Sequence, residues 1–412
     1  MSPIANEFVL PRPGTQVSSG EPISGPSEKA FIETFGALLP SAKSLDTPHG
    51  KAAYYEIHPP SPSEDVGTID RVLFIHGVQT PALGMLPLAH ALRKSFPCAH
   101  LVLIDLWGHG LSDTPIMPHQ PSLFYQLIDD LWDHLGWSSA HIVGFSFGGV
   151  TTAGYVATRP ERVKSFTLVA PAGLLRSSDF TQEQQGYLRG GDEVAARKWI
   201  LEFLEGGSLV VPENWKDRVA KGEIVAEAVR DWQMREHRGH AASVVAIFRD
   251  GGVLDSHSQF SKASQTGIPN LAVLGEMDEI VSEEQLKEHG FNNVFVVQKT
   301  GHGVVREKVD EYRELLESHE VVIIDAWATW CGPCKAISPI FERLADTETY
   351  EPEKVAFAKF DTDEVPDLAQ ELGIRSIPTF FTFHKGDLDD KLSGAHPPKL
   401  QNLVKEAIKK AQ

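Results

Sequence analysis

At 412 residues, with 42% hydrophobic and 23% charged positions, the chain is long enough for two packed domains, each with a wet surface. A formal charge of -18 with no dense Lys/Arg patch argues against nucleic acid or anionic membrane as a partner. Three cysteines cannot staple a chain of this size, no second Cys pair or ordered Cys/His spacing completes a zinc site, and no apolar run reaches the roughly 18 residues of a membrane span, so neither metal nor span is expected.

Residues 1–27 are rich in Pro, Gly and Ser and read as an irregular tail or a strap lying on the domain. The opening MSPIANEFVLPRPG has neither a basic start nor an apolar run of signal length. With Cys98 left over as an odd thiol, a reducing, cytoplasmic setting is expected. Strand-like runs follow at AYYEI (53–57), RVLFIHG (71–77), LVLID (101–105), AHIVGFS (140–146) and VKSFTLVA (163–170). Helical patterns around 122–135 and 149–159 separate them, which is how a parallel sheet covered on both faces reads. From about 174 to 265 the pattern is helical and amphipathic, and strands resume at NLAVLG (270–275) and NVFVVQK (293–299). A helical insertion that leaves the C-terminal end of a strand, where ligands bind in such sheets, predicts a lid, with decoration on the back of the sheet as the alternative. Val305, Val309, Tyr312 and Leu316 then form one amphipathic stripe. About fifteen residues at ~1.5 Å rise leave room for a single helix, so one helix over about 304–318 is expected to serve two domains, 28–307 and 308–412. Beyond it, EVVIIDAW reads as a buried strand and KAISPIFERLA as a helix.

GFSFGG (144–149) matches G-x-S-x-G, with Ser146 between a strand and a helix. That context supplies a sharp turn that exposes the Ser hydroxyl, with small neighbours permitting close backbone approach. Over roughly residues 50–307 the chain resembles the α/β-hydrolase superfamily, whose triad runs Ser, acid, His. The resemblance implies Asp278, in LGEMDEIVS, as the acid and His302, in KTGHG, as the base. Glu276 and Glu279 stand beside Asp278 as alternative acids. HGVQTP (76–81) is similar to the family's loop after the third strand. It implies backbone N–H groups of Val78 and Phe147 as the oxyanion hole, with His76 supporting the loop. Trp107, in DLWGHGLSD, stands where many relatives carry Arg, either lining an acyl pocket or packing. A serine at the turn implies ester, thioester, amide or carbon–carbon cleavage, in contrast to the aspartate of epoxide hydrolases and haloalkane dehalogenases. Trp199, Phe203, Trp232 and Phe248 in the lid suggest an apolar acyl or other small-molecule substrate.

ATWCGPCK (328–335) places a C-x-x-C between the buried strand and the helix, so Cys331 meets orphan N–H groups that favour a thiolate. Residues 308–412 resemble thioredoxin over nearly its full length, through VAFAKFDTDE, LGIRSIPTFFTFHKG and LSGAHPPKLQNLVKEAI. The resemblance implies Cys331 as the exposed nucleophile and Cys334 as the resolving thiol. It implies Asp325 and Lys359 as a buried pair managing the second thiol's proton. It also implies Pro378 as a cis proline facing the cysteines, and Trp330 and Gly394 as flanks of the docking surface. Ala326 departs from the family's usual Phe, and the family's first strand is not evident.

The expected fold class is therefore α/β in two domains, a lidded hydrolase fold followed by a thioredoxin fold lacking its first strand. The expected function is a fusion of serine hydrolase and dithiol–disulfide oxidoreductase acting on disulfide-containing proteins. No bound cofactor is expected, since no dinucleotide fingerprint occurs; electrons would come from a thioredoxin reductase or the glutathione system. Two other readings stay open. One is a carbon–carbon bond hydrolase whose thioredoxin is a redox-regulatory or binding platform; the other is a disulfide reductase carrying a non-catalytic hydrolase scaffold.

Overall fold

Alternate residues of the central strands fall into two different cores, and this accounts for their continuous apolar runs. Leu73, Ile75, Val102, Ile104 and Ile142 point into one core, while Val72, Phe74, Leu101, Leu103 and Val143 point into the other. A strand buried on both faces needs no polar positions. Each such side chain contributes roughly 1.5–3 kcal/mol on burial. The computed structural model describes residues 8–15, 20–59, 70–297, 300–305, 319–347, 349–351, 354–363, 365, 368–369, 372, 374 and 376–411. The chain divides into two units, Met1–Arg306 and Glu307–Gln412.

In the first unit β1 (Lys43–Thr47) and β2 (Gly50–Ile57) form a hairpin that joins β4 (His100–Ile104) antiparallel. β3 (Arg71–Ile75), β5 (Ala140–Phe145), β6 (Val163–Val169), β7 (Asn270–Gly275) and β8 (Val294–Val297) continue the sheet in parallel, in the order β1-β2-β4-β3-β5-β6-β7-β8. One face carries α3 (Pro121–His134) and α4 (Phe147–Thr158); the other carries α1 (Glu28–Phe35) and α2 (Leu86–Ser95). The N-terminal segment is a strap: Leu10 is buried against Ala242 and Ala246, Arg12 pairs with Asp250 at 2.8 Å, and Ile23 bridges Thr114.

Five helices rise between β6 and β7: α5 (Gln182–Arg189), α6 (Glu193–Glu205), α7 (Trp215–Ala220), α8 (Ala226–Glu236) and α9 (His240–Asp250). Asp192 caps the first turn of α6 and Gly206, with φ 69°, ends it. The sixth helix of the insertion, α10 (His257–Gln265), differs from the expected lid. Its buried Phe260 and Ala263 join the core of α4, as a crossover between parallel neighbours requires. A short α11 (Glu283–Glu288) precedes β8.

The second unit has β9 (Val321–Trp327), β10 (Val355–Asp361), β11 (Thr379–His384) and β12 (Asp387–Ser393) in the order β10-β9-β11-β12. β9 and β10 are parallel and the other pairs antiparallel. α12 (Gly332–Thr347) and α13 (Pro397–Lys409) pack through Ile337, Phe341, Leu400 and Val404 into one core. Four strands among the described residues is one fewer than the usual thioredoxin sheet. The helix expected over 304–318 lies outside the described residues except for Val304 and Val305, which form a turn.

Candidate active sites

β5 ends at Phe145 and α4 begins at Phe147, so Ser146 alone makes the turn, with φ 52° and ψ -112°. Only close packing tolerates such a conformation in a non-glycine residue. That packing is set by the flanking glycines. A Cβ on Gly144 would lie 2.2 Å from the Gly148 carbonyl oxygen, and one on Gly148 would lie 2.1 Å from that of Ile75. The turn raises Ser146 Oγ to 2.9 Å from His302 Nε2, which it reaches as a donor. His302 Nδ1 in turn donates to Asp278, 3.0 Å from Oδ2 and 3.2 Å from Oδ1. The Asp278 side chain is fully buried and also accepts the Ile280 N–H at 2.8 Å, whereas Glu276 and Glu279 are exposed.

Phe147 opens α4, so its N–H belongs to the first-turn donors that have no partner within the helix. Val78 lies across the same cleft, on the loop after β3. His76 is buried beneath that loop; its Nε2 accepts the Leu106 N–H at 2.9 Å and its Nδ1 donates to the Gly77 carbonyl at 2.6 Å. The cleft over Ser146 has a volume of about 100 Å³, and Phe203, Leu204, Phe248 and Val253 give it an apolar wall. Trp199 packs behind Phe203 and Phe248. Trp232 and Trp107 are core residues instead: Trp232 sits edge-on to Phe31, and Trp107 is buried beside the sheet.

Sequence patterns did not single out the polar ties that hold the loop. Gln233, on α8, is fully buried; its Oε1 accepts the Gly110 N–H at 2.8 Å and its Nε2 donates to the Gln79 carbonyl. Gln79 adopts φ 78°, donates its N–H to His109 Nε2 at 3.2 Å, and reaches Glu205 on α6 at 2.7 Å. Burial, then the neighbouring imidazoles of His240 and His76, holds His109 well below the usual histidine range, so it stays neutral and can accept. The available signal was a Gln on the buried stripe of α8 beside Ala228, Val229 and Trp232.

In the second unit Cys331 precedes α12 and is disulfide-bonded to Cys334, whose backbone N–H points at Cys331 Sγ at 3.1 Å. Cys331 is 3% exposed and Cys334 is fully buried. The expectation of an exposed Cys331 is thus corrected for the oxidised pair, in which the two sulfurs occupy each other's free face. Asp325, fully buried on β9, accepts from Ser338 Oγ at 3.0 Å, and its Oδ1 has no partner among the described residues. Burial pushes its carboxyl up to about 6 against the lowering effect of the Ser338 hydrogen bond and of Lys359. The expected buried pair is only half right. Lys359 is Asp325's register neighbour on β10, but its ammonium is exposed, bonds Glu342 at 2.7 Å and lies over the Trp327 ring. An ammonium at the sheet edge keeps its hydration by turning outward. The Ile377–Pro378 bond is cis, the Gly394 N–H donates to the Pro378 carbonyl at 2.7 Å, and Trp330 is exposed and bonds Asp363. Ala326 is buried in the smaller core with Phe381 and Phe383.

Residues 70–309 match the family described as alpha/beta hydrolase fold, and residues 303–406 match the thioredoxin family. A thioredoxin of Malassezia sympodialis is 47% identical over 95 residues, which is 23% of this chain and 89% of that protein. One of Coprinus comatus is 44% identical over 100 residues, 24% of this chain and 92% of that protein. Among solved structures, a candidate lipase of Acinetobacter baumannii shares the fold at TM-score 0.50 and 17% identity, covering 73% of this chain and 95% of its own.

Proposed function

Because this chain belongs to the α/β-hydrolase fold family over residues 70–309 and to the thioredoxin family over residues 303–406, we propose that it is a bifunctional enzyme, an acyl-ester or thioester hydrolase joined to a dithiol–disulfide oxidoreductase. The observation carrying the first half is the unbroken Ser146–His302–Asp278 hydrogen-bond chain at 2.9 and 3.0 Å, opening on a cleft with an apolar wall.

In this reading Ser146 Oγ attacks the substrate carbonyl as its proton passes to His302 Nε2. Asp278 holds the imidazole with Nδ1–H toward itself and stabilises the imidazolium that forms. The Val78 and Phe147 N–H groups take the charge on the former carbonyl oxygen, and His302 then gives its proton to the departing alcohol or thiol. Water repeats the sequence to release the acid and regenerate Ser146. The Phe203, Leu204 and Phe248 wall selects an apolar acyl chain.

In the second unit the Cys331 thiolate attacks a protein disulfide and expels one thiolate; Cys334 then attacks Cys331 Sγ, expels the other, and leaves the disulfide seen here. Asp325 is the buried acceptor for the Cys334 proton, and the strand edge around Pro378 docks the substrate. Two electrons and two protons return from a thioredoxin reductase or glutathione in the cytoplasm, a setting favoured by the odd Cys98. No helix among the described residues is long and apolar enough to cross a membrane. Labelling with a fluorophosphonate tests the hydrolase half: the wild type should be modified on Ser146 and Ser146→Ala should not. Equal labelling of both proteins rejects the assignment.

A further inference from the structure

At the edge of the sheet opposite Ser146, three side chains converge that no cysteine-based search for a metal would find. Glu56 and His58 alternate onto one face at the end of β2, and the antiparallel register with β4 carries His100 across from them, one step beyond the Ile57–Leu101 pair. His100 Nε2 lies 2.7 Å and His58 Nε2 3.4 Å from Glu56 Oε2, and the three ligand atoms all fall within 4.8 Å of one another. The two imidazoles stack at 4.6 Å and 23°. Despite its closeness to Glu56, the His100 nitrogen is buried without a well-aligned hydrogen bond.

The surroundings hold this arrangement in place. Lys43 Nζ bonds the other Glu56 oxygen at 2.5 Å, which turns Oε2 toward the imidazoles. The Arg93 guanidinium, from α2, donates to the Ile57 and His58 carbonyls at 2.7 and 2.6 Å and to those of Pro97 and Ala99 at 2.6 and 2.8 Å. It therefore ties together the two segments that bear the histidines. The His100 N–H is fixed on the Asp70 carbonyl at 2.7 Å, and Trp137 packs edge-on against its ring. Oriented ligands backed by such contacts are what a metal site needs.

We propose that Glu56, His58 and His100 form a binding site for a divalent transition metal of the zinc type. Bonds of about 2.0–2.2 Å in tetrahedral geometry place ligand atoms roughly 3.4 Å apart. The 3.4 Å pair already meets that spacing, and the 2.7 Å pair must open slightly to admit the ion. Two neutral imidazoles and one carboxylate leave a net charge of +1 and a fourth position for water. The ion would pin the β1–β2 hairpin to the parallel sheet, so its effect is on stability and not on the chemistry at Ser146.

The test uses the full-length protein with its Cys331–Cys334 disulfide intact and Cys98→Ser to remove the free thiol. After chelation, calorimetric titration with zinc should show one equivalent bound, and cobalt should give visible absorption of a low-coordinate site. Thermal unfolding should shift upward with metal. His58→Ala, at an exposed side chain and with the backbone carbonyl that Arg93 bonds retained, should weaken binding by about 10–100-fold and reduce the thermal shift, while ester hydrolysis in metal-free buffer stays unchanged. Absence of stoichiometric binding in the wild-type background overturns the site, as does unchanged affinity in both His58→Ala and Glu56→Gln.

Discussion

Burial pushes the Asp325 carboxyl up to about 6, and among the described residues Ser338 is its one hydrogen-bond donor, leaving Oδ1 without a partner there. A folded-state value raised above the unfolded one means that the native state binds the proton more tightly. Asp325 then contributes stability that is fully present below about pH 4 and is lost as pH rises to about 6, with no further change from this group above. Asp325→Asn should remove that decline and raise stability near neutrality by on the order of 2 kcal/mol, read from urea unfolding at pH 4.5 and 7.5. The same variant should slow disulfide reduction, because the buried proton acceptor for Cys334 is gone. A pH dependence identical to wild type would show that Asp325 is not the titrating group. At this scale the residues of the Ser146–His302–Asp278 hydrogen-bond chain and of the Cys331–Cys334 pair could be picked out in the sequence because the chemistry proposed for them demands fixed residue types at strand ends. The exposed, Glu342-bound Lys359 was not, since which way a long side chain turns is decided by local solvation and not by spacing.

The elements were legible wherever one physical period governed a segment. The strands over 71–75 and 101–104 read clearly because both faces are buried, and the helix after Ser146 because the elbow requires one. The insertion between β6 and β7 read as one amphipathic block, so the sequence could not show that α10 turns back onto α4 while α8 and α9 roof the cleft. Nor did it show that α8 reaches down through Gln233 to the loop after β3. In the proposed mechanism that tie makes the roof part of the catalytic geometry. Gln233→Leu keeps the volume but strips the Gln79 carbonyl and the Gly110 N–H of their partner, at a cost of about 1–3 kcal/mol. If the Val78 N–H depends on this loop, kcat on an ester should fall about 10–100-fold with little change in KM. A rise in KM alone would mean that Gln233 only shapes the pocket.

At the scale of the whole molecule, the larger unit carries an unusual store of buried neutral histidines. Burial holds His109 and His237 below the usual range, His119 down to about 4 and His240 to about 3. In the unfolded chain these rings take up protons near pH 6.5, so their contribution is complete above that pH and is lost as pH falls toward 3. Asp105, raised to about 6 by burial, acts in the opposite sense between about pH 4 and 6, but it is one group against four. Hydrolase activity and the urea midpoint of this unit should therefore drop between pH 7 and 5, while the thioredoxin unit gains stability over the same interval. Parallel loss in both units would contradict that account.

The central claim is that one chain carries two working active sites, and the most direct measurement is a crossed assay. Wild type, Ser146→Ala and Cys331→Ser are each tested for hydrolysis of an apolar acyl ester and for reduction of a protein disulfide with an external reductant. Ser146→Ala should lose esterase activity by about 1,000-fold or more and still reduce disulfides. Cys331→Ser should show the reverse. Wild-type protein inactive in one of the two assays, or ester hydrolysis that survives Ser146→Ala, would contradict the account.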